Sequence, residues 1–302
     1  MTVGDGLSTR FGEPNNGQEQ TTVYRTVEVD GLKIFYREAG PKDAPVILFL
    51  HGFPSSSTMF ETLFPLLSAH YHLIAPDYPG FGYSDAPDPG GFAYTFDHLA
   101  AIVDSFTAVM GLKQYSLYLQ DYGGPIGFRL ILAHPERVQH IIIQNAVSHP
   151  EGLSPLWETR KAFWRDRAAH ESELRANFTS FEATRQRHIG NSPHPERIDP
   201  DTYTDEYAFL TRPGMVQIQL DLFYDYQTNV ASYPRYQQWL REHQPRLLVL
   251  WGKYDPSFVV AGAEAYKKDV PDCKVVLLAA GHFAIDEARE QIATEILEFL
   301  NH

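Results

Sequence analysis

Two aspartates and a histidine follow apolar, β-prone runs of the sequence, and their types and order suit nucleophilic catalysis. Asp121 comes directly after the run Tyr115–Gln120, and a helical pattern starts just behind it. A strand that turns sharply into a helix exposes the side chain at its turn, an arrangement known as a nucleophile elbow. Asp255 and His282 come shortly after the last two apolar runs. A nucleophile, an acid and a histidine therefore succeed one another along the chain.

The residue type at the turn decides which reaction is chemically reasonable. A serine would need a base to remove its proton, whereas the Asp121 carboxylate is already ionised near pH 7. A carboxylate can displace a leaving group from an sp3 carbon and form an alkyl ester, whose carbonyl water can then attack. Asp121 therefore predicts substrates with an electrophilic alkyl carbon, such as epoxides or alkyl halides. The alternative is that Asp121 only caps the following helix, a common role for aspartate.

A fourth motif, His51-Gly52-Phe53-Pro54, follows the short apolar run at residues 46–50. Together with the turn at Asp121, Asp255 and His282, it resembles the motifs of α/β-hydrolases of the epoxide hydrolase and haloalkane dehalogenase group, over residues 22–302. The resemblance implies an α/β fold of the α/β-hydrolase type, with a mostly parallel eight-stranded sheet flanked by helices and a helical cap domain. It implies no metal and no organic cofactor.

The resemblance also assigns catalytic roles to three residues. Asp121 would be the nucleophile, and His282 would take a proton from the water that attacks the ester, since imidazole titrates near neutral pH. Asp255 would orient the ring and stabilise its charged form. Each residue alone has an ordinary structural explanation, because an aspartate after a strand is usually a turn or cap residue.

The His-Gly-Phe-Pro loop is expected to help form the oxyanion hole. By resemblance, the backbone N–H groups of Phe53 and Tyr122 would stabilise the charge that develops during ester hydrolysis. His51, Gly52 and Pro54 would support this loop, and the Phe53–Pro54 bond is expected to be cis, as X-Pro bonds permit.

Epoxide hydrolysis and haloalkane dehalogenation differ in the hydrogen-bond donor that the leaving group needs. Epoxide hydrolases resembling this chain supply tyrosine O–H donors from the cap, and the segment at residues 223–229 predicts Tyr226 as one donor, with Tyr224 as second choice. Either ring could instead simply pack in the cap. A halide needs N–H donors, commonly a Trp after the nucleophile, where this chain has Tyr122.

Haloalkane dehalogenation nevertheless remains the second hypothesis. The pair Gln120-Asp121 resembles some dehalogenase elbows, and Trp157 or Trp164 could donate to a halide. A third hypothesis, from another functional class, is a non-catalytic small-molecule receptor on the same scaffold.

The elements that must position these residues alternate between apolar strands and helices, which predicts right-handed crossovers and a parallel sheet. We divide the chain into a flexible N-terminal arm (residues 1–20), a core (residues 21–148 and 245–302) and a helical cap insertion (residues 149–244). The insertion is rich in charged and aromatic residues and lacks a convincing β run.

The amino-acid composition limits the classes of partner that the protein can bind. A net charge of −13 over 302 residues disfavours nucleic acids and anionic membrane surfaces, since both call for a basic surface. The longest apolar runs are too short to span a bilayer. The single cysteine, Cys273, excludes an internal disulfide and fits a reducing compartment. We therefore predict a cytoplasmic monomer or homodimer that acts on a small apolar substrate and water.

Overall fold

The structure is a computed structural model and describes residues 21–301, apart from the side chains of residues 177 and 178. The predicted N-terminal arm lies outside the described residues. The strands are β1 (Val23–Val29), β2 (Leu32–Ala39), β3 (Val46–Leu50), β4 (His72–Pro76), β5 (Tyr115–Gln120), β6 (Val138–Gln144), β7 (Leu247–Gly252) and β8 (Lys274–Leu278).

The α-helices are α1 (Phe64–Leu67), α2 (Phe96–Val109), α3 (Gly123–Ala133), α4 (Trp157–Arg165), α5 (Arg167–Phe178), α6 (Phe181–Ile189), α7 (Pro200–Leu210), α8 (Met215–His243), α9 (Val260–Ala265) and α10 (Ala284–Asn301). Short 3-10 turns connect several of them. The apolar spacing of residues 58–69 in the sequence predicts one helix, but only a 3-10 turn at Ser57–Phe60 and the one-turn helix α1 form there.

The eight strands form one sheet in the order β1-β2-β4-β3-β5-β6-β7-β8. β2 pairs antiparallel with β1 and β4, and the remaining neighbours are parallel. The hairpin between β1 and β2 turns at Asp30 and Gly31, with φ of 49° and 78°, which matches the tight turn that this dipeptide favours. The predicted eight-stranded, mostly parallel sheet is confirmed.

Apolar residues on both faces of the central strands explain why helices cover the sheet on both sides. Every residue of β5 and β7 is buried, as expected for parallel strands enclosed by helices. Because parallel strands all point the same way, the residues that follow β3, β5, β6, β7 and β8 meet along one edge of the sheet.

Residues 149–244, between β6 and β7, form the helices α4 to α8, and we call this segment the helical insertion. The apolar spacing of the sequence predicts helical stretches around residues 156–167, 172–178, 180–188 and 216–226. This prediction misses α7 and ends α8 too early. α8 instead runs for 29 residues and contains Pro234. Its second half buries Tyr233, Tyr236 and Leu240, and this apolar burial offsets the hydrogen bond that a proline removes.

A buried ionic cluster joins the helical insertion to the core. The two ring nitrogens of His188 in α6 lie 2.8 Å from Glu206 in α7 and 2.8 Å from Asp286 in α10. Burial opposes a charge on the ring, but the two carboxylates outweigh it and raise the pKa of His188 to about 10. His188 is therefore a cation that ties the insertion to the core beside His282, since its ring stacks on Phe283 at 4.0 Å.

Replacing His188 should change how stability depends on pH. The pKa rises from 6.5 in the unfolded chain to about 10 in the fold, so the cluster stabilises fully below pH 6.5 and its contribution is lost as pH rises through the higher value. We expect His188→Gln to lower the free energy of unfolding by ~3 kcal/mol near neutral pH and to flatten its decline at alkaline pH. Denaturant titrations over this pH range measure both effects. The exposed His70→Gln serves as control, and parallel curves for wild type and His188→Gln would contradict the assignment.

Residues 21–301 contain no helix of the length and apolarity that crossing a membrane demands.

Candidate active site

Asp121 stands at the turn between β5 and α3, in the place that the sequence predicted. Its φ is 47°, in the left-handed region that few non-glycine residues occupy. Two glycines let neighbouring backbone approach this turn closely. A Cβ on Gly123 would lie 2.0 Å from the carbonyl oxygen of Leu50, and one on Gly52 would lie 2.3 Å from Asp121 Cβ. The strained turn is thus held between β3 and the loop that follows it.

The two oxygens of the Asp121 carboxylate have different surroundings. Oδ1 accepts a hydrogen bond from the Phe53 backbone N–H at 2.9 Å, and the Tyr122 N–H also donates to the carboxylate. Oδ2 lies 3.6 Å from His282 Nε2. Burial raises the pKa of Asp121, while His282 and the two backbone donors act against the rise. One oxygen thus sits at the predicted oxyanion donors, and the other faces the imidazole.

His282 and Asp255 meet behind this carboxylate. His282 Nδ1 lies 2.6 Å from Asp255 Oδ2, and Asp255 Oδ1 accepts hydrogen bonds from the backbone N–H groups of Ser257 and Phe258. Burial disfavours a charged His282, but the nearby Asp255 carboxylate outweighs it and raises the pKa of the imidazole. The structure therefore brings together the three residues singled out in the sequence, with Nε2 directed at Asp121.

Two buried amides complete this arrangement, and our sequence analysis did not assign either a role. Gln120 Nε2 lies 3.0 Å from His282 Nε2. If Nδ1–H donates to Asp255, Nε2 is an acceptor and the Gln120 amide donates to it. Asn145, just after β6, donates to Asp255 Oδ2 at 2.9 Å. Both residues lie at the carboxyl ends of apolar strands, and this position in the sequence could have suggested that they belong to the site.

The loop after β3 supports the site from the other side. The Phe53–Pro54 peptide bond is cis, as expected. His51 is fully buried, and its Nε2 accepts a hydrogen bond from the Tyr78 N–H. Burial lowers the pKa of His51 to about 3, so the ring is neutral. Its contacts are those of a supporting residue and not of a proton carrier.

A cavity of about 420 Å³, including its open mouth, lies in front of Asp121 and His282. One wall comes from the core and the other from the helical insertion. The lining residues are Phe53, Asp121, Tyr122, Trp157, Arg160, Arg187, Phe223, Asp255, Pro256, Ser257 and His282. Four of these residues are Phe, Tyr or Trp, and two are arginines that the prediction of an apolar substrate did not anticipate. Across the described part of the chain, no cluster of His, Cys, Asp and Glu side chains is suited to hold a metal ion.

The two tyrosines predicted as ring-opening donors do not line this cavity. The Tyr226 ring packs among aromatic rings, 4.8 Å from Trp157 and 5.5 Å from Phe96. The Tyr224 ring packs against Phe163 at 5.7 Å. Their proposed role therefore remains a prediction without a direct contact to the cavity.

The tryptophans considered as halide donors already use their N–H groups. Trp157 Nε1 donates to the Ser257 carbonyl at 3.2 Å, and Trp164 Nε1 donates to the Phe223 carbonyl at 2.8 Å. Tyr122, in contrast, lines the cavity beside Asp121, and its buried hydroxyl has no hydrogen-bond partner among residues 21–301.

Comparison with known proteins agrees with this architecture. The sequence family described as the alpha/beta hydrolase fold matches residues 45–288. The chain is 41% identical over 273 residues to a Saccharomyces cerevisiae protein named uncharacterized hydrolase YNR064C, covering 89% of this chain and 93% of that one. It is 25% identical over 290 residues to epoxide hydrolase 2 of Caenorhabditis elegans, covering 92% of this chain and 80% of the relative.

A solved structure supports the fold independently. The haloalkane dehalogenase DatA from Agrobacterium tumefaciens superposes with a TM-score of 0.77 at 24% identity, over 93% of this chain and 96% of that chain. The sheet order, the strained turn at Asp121 and the extent of the family match lead to one conclusion: this chain belongs to the α/β-hydrolase fold family and is a hydrolase.

Proposed function

We propose that the protein hydrolyses small alkyl electrophiles, first of all epoxides, through a covalent ester on Asp121. The observation that supports this most is the asymmetric carboxylate of Asp121. Its Oδ1 is held by the Phe53 N–H at 2.9 Å, and Oδ2 is 3.6 Å from His282 Nε2. A carboxylate at the turn suits displacement at an alkyl carbon, whereas acyl transfer calls for an alcohol or a thiol.

In the first step, Asp121 Oδ2 attacks a carbon of the substrate, and the bond from that carbon to the leaving oxygen or halide breaks. This step needs no base, because the nucleophile is already an anion. For an epoxide, the ring oxygen stays on the substrate and takes a proton from a tyrosine hydroxyl, which becomes a tyrosinate. For a haloalkane, the halide departs.

In the second step, water attacks the carbonyl carbon of the Asp121 ester. His282 takes the proton from the water, and Asp255 stabilises the imidazolium that results. The carbonyl oxygen derives from Oδ1, so the N–H groups of Phe53 and Tyr122 receive the developing negative charge. Cleavage of the acyl C–O bond releases the alcohol, which takes the proton from His282, and leaves Asp121 as a carboxylic acid. Loss of that proton, to the tyrosinate formed in epoxide opening or to solvent after dehalogenation, regenerates the carboxylate. Epoxides thus give vicinal diols.

Epoxides rank first because of the donor available beside the nucleophile. A phenol can transfer a proton, which an opening epoxide oxygen requires and a departing halide does not. The Tyr122 hydroxyl is buried and has no partner among the described side chains and backbone groups, while other atoms of Tyr122 line the cavity. Burial, and to a smaller extent the nearby Asp121 carboxylate, raise the pKa of the Tyr122 hydroxyl well above 10. The hydroxyl is therefore protonated and can donate.

Hydrolytic dehalogenation is the second candidate, favoured by the N–H groups that Arg160 and Arg187 bring to the same cavity. Steady-state turnover of small epoxides, followed as diol formation, and of haloalkanes of equal chain length, followed as halide release, separates the two. Diol formation without halide release supports the first candidate. Absence of both products from folded enzyme would contradict the proposed function.

Removal of the Tyr122 hydroxyl should slow epoxide opening. We expect Tyr122→Phe to reduce kcat/KM for epoxides about 10²-fold, the typical contribution of a positioned proton donor. Haloalkane turnover, if present, should change much less, because halide release needs no proton. Tyr226→Phe is the informative companion variant. A large loss in Tyr226→Phe with none in Tyr122→Phe would return the role to the tyrosine predicted from the sequence.

A further inference from the structure

Two cations from the helical insertion line the same cavity as Asp121. Arg160 comes from α4 and Arg187 from α6, both in the helical insertion, and both line the cavity together with Asp121 and His282. Each side chain is partly buried. Taking a guanidinium out of bulk water costs free energy unless an anion or polar partners compensate for the loss. Arg160, which faces the cavity without a carboxylate partner among residues 21–301, therefore calls for an explanation.

Aromatic rings and one hydroxyl surround Arg160. Its guanidinium lies 4.3 Å from the centre of the Trp157 ring and 5.6 Å from that of Phe223. Nη1 donates to Ser257 Oγ at 3.0 Å. Among residues 21–301, Arg160 forms no ion pair with a carboxylate, although Arg167 and Arg185 in the same insertion each form one. Stacking on rings fixes the plane of the guanidinium and leaves its edge for a planar anion.

Arg187 adds a second positive charge near the oxyanion loop. Its guanidinium lies 4.8 Å from the centre of the Phe53 ring. Burial, together with repulsion from Arg160, lowers the pKa of Arg187 to about 9. The two cations are thus close enough to disfavour each other, and an anion between them would relieve that repulsion.

The carboxylates of the site do not form an ion pair with Arg160. Asp255 already has hydrogen bonds from two backbone N–H groups, from Asn145 and from His282. One oxygen of Asp121 is held by the backbone N–H of Phe53. The two cations come from the insertion and Asp121 comes from the core, and all three line the same cavity. A substrate that bridges the cavity would meet a cation at one end and the nucleophile at the other.

We propose that the substrates of this site carry a carboxylate, which Arg160 and Arg187 bind while the electrophilic carbon faces Asp121. The inference rests on the proposed function and specifies its substrate class. Repulsion between the substrate carboxylate and Asp121 disfavours the reversed orientation, so the same charges that bind the substrate also orient it. The bonds made and broken at Asp121 are those of the two steps given above.

Isosteric pairs of probes test this proposal. Oxirane-2-carboxylate is compared with oxirane-2-carboxamide, and bromoacetate with bromoacetamide, so that each pair differs mainly in charge. We expect the wild type to show a kcat/KM at least about tenfold higher for the carboxylate, as charge-assisted hydrogen bonds are stronger than neutral ones. Propanoate should inhibit competitively at lower concentration than propanamide, which measures anion binding without turnover.

Variants with matched controls assign the effect to the two arginines. Arg160→Gln and Arg187→Gln should each lose at least about tenfold more kcat/KM for the carboxylate than for the amide, mainly through KM. Arg165→Gln on α4 and Arg185→Gln on α6 remove the same charge from the same helices away from the cavity, and should keep the wild-type ratio. Arg160→Lys, which keeps the charge but not the planar fork, should fall between wild type and Arg160→Gln.

The outcomes distinguish this inference from the proposed function. A wild type that prefers the amides, or a preference for carboxylates that Arg160→Gln and Arg187→Gln leave unchanged, would overturn it. If Arg160→Gln and Arg187→Gln lose equal kcat/KM for the carboxylate and the amide of a pair, the inference is also overturned. That result would indicate that the arginines stabilise the leaving group instead. Trapping with the His282→Gln variant provides the separate check. An ester on Asp121 from the amides but not the carboxylates removes only this inference, whereas no ester from either removes the proposed function itself.

Discussion

The His282→Gln variant should accumulate as an ester on Asp121. Formation of the ester needs only the ionised carboxylate, whereas its hydrolysis needs a base to take a proton from water. The glutamine amide has no basic lone pair at neutral pH, but its size and polarity are compatible with a place beside Asp255. The first step should therefore proceed, and the second should slow by about 10²- to 10⁴-fold.

Intact mass spectrometry after exposure to substrate measures this directly. An epoxide should add its whole mass, because the ring oxygen stays on the alkyl group. A haloalkane should add the alkyl group alone, with release of halide. Peptide mapping should locate the adduct at Asp121, and alkaline treatment should remove it, as expected for an ester.

Controls make the trapping experiment decisive. The double variant His282→Gln with Asp121→Asn lacks the nucleophile and should gain no mass, which excludes alkylation elsewhere. Turnover by the wild type without any adduct in His282→Gln would contradict a covalent mechanism. In the wild type, hydrolysis of the ester should slow as pH falls through the pKa of His282, because a protonated imidazole cannot accept the proton. Burial opposes that charge, but Asp255 raises the pKa in the free enzyme.

The Asp121→Asn variant should lose turnover and keep its fold. An amide cannot displace the leaving group, so we expect kcat/KM to fall by about 10⁵-fold or more, as for other removed nucleophiles. The free energy of unfolding of Asp121→Asn should equal or exceed that of the wild type. Burial raises the pKa of Asp121, which means that the fold disfavours the ionised carboxylate. Asparagine also tolerates the φ of 47° at this turn, and its side-chain oxygen can still accept from the Phe53 N–H.

Steady-state kinetics and thermal unfolding at neutral pH measure the two effects together. The exposed Asp97→Asn provides the control for a neutralised aspartate outside the site. Residual activity that grows on storage would mark hydrolysis of the introduced amide back to aspartate. Undiminished turnover in fresh Asp121→Asn protein would remove Asp121 as the nucleophile, and a large loss of stability would show that its role is structural.

Local patterns in the sequence were sufficient to predict the sheet and the positions of Asp121, Asp255 and His282. Apolar runs predict strands, because a parallel strand covered on both faces must be apolar throughout. Asp121, Asp255 and His282 each follow such a run, and the carboxyl ends of parallel strands share one edge. Their meeting could thus be expected from order and position, although residues 121 and 282 are far apart in the chain.

Only the tertiary structure showed which side chains of the helical insertion face the cavity. Arg160 and Arg165 lie on the same helix, as do Arg185 and Arg187, and the sequence contains nothing that separates the members of each pair. Which member lines the cavity depends on how each helix is rotated and docked against the core. That is decided by contacts between residues distant in sequence, such as the stacking of Arg187 on Phe53.

The tyrosines considered as donors to the leaving group also show that the sequence did not reveal which side chains line the cavity. Tyr226 was the tyrosine expected from its segment, but α8 is oriented so that its ring is packed among other aromatic rings. Tyr122, which follows the nucleophile directly, lines the cavity. The sequence by itself determined the sheet and the positions of Asp121, Asp255 and His282 at the strand ends, because strand position follows from local periodicity. The charge and shape of the facing wall were decided by helix packing, which depends on long-range contacts that no local pattern encodes.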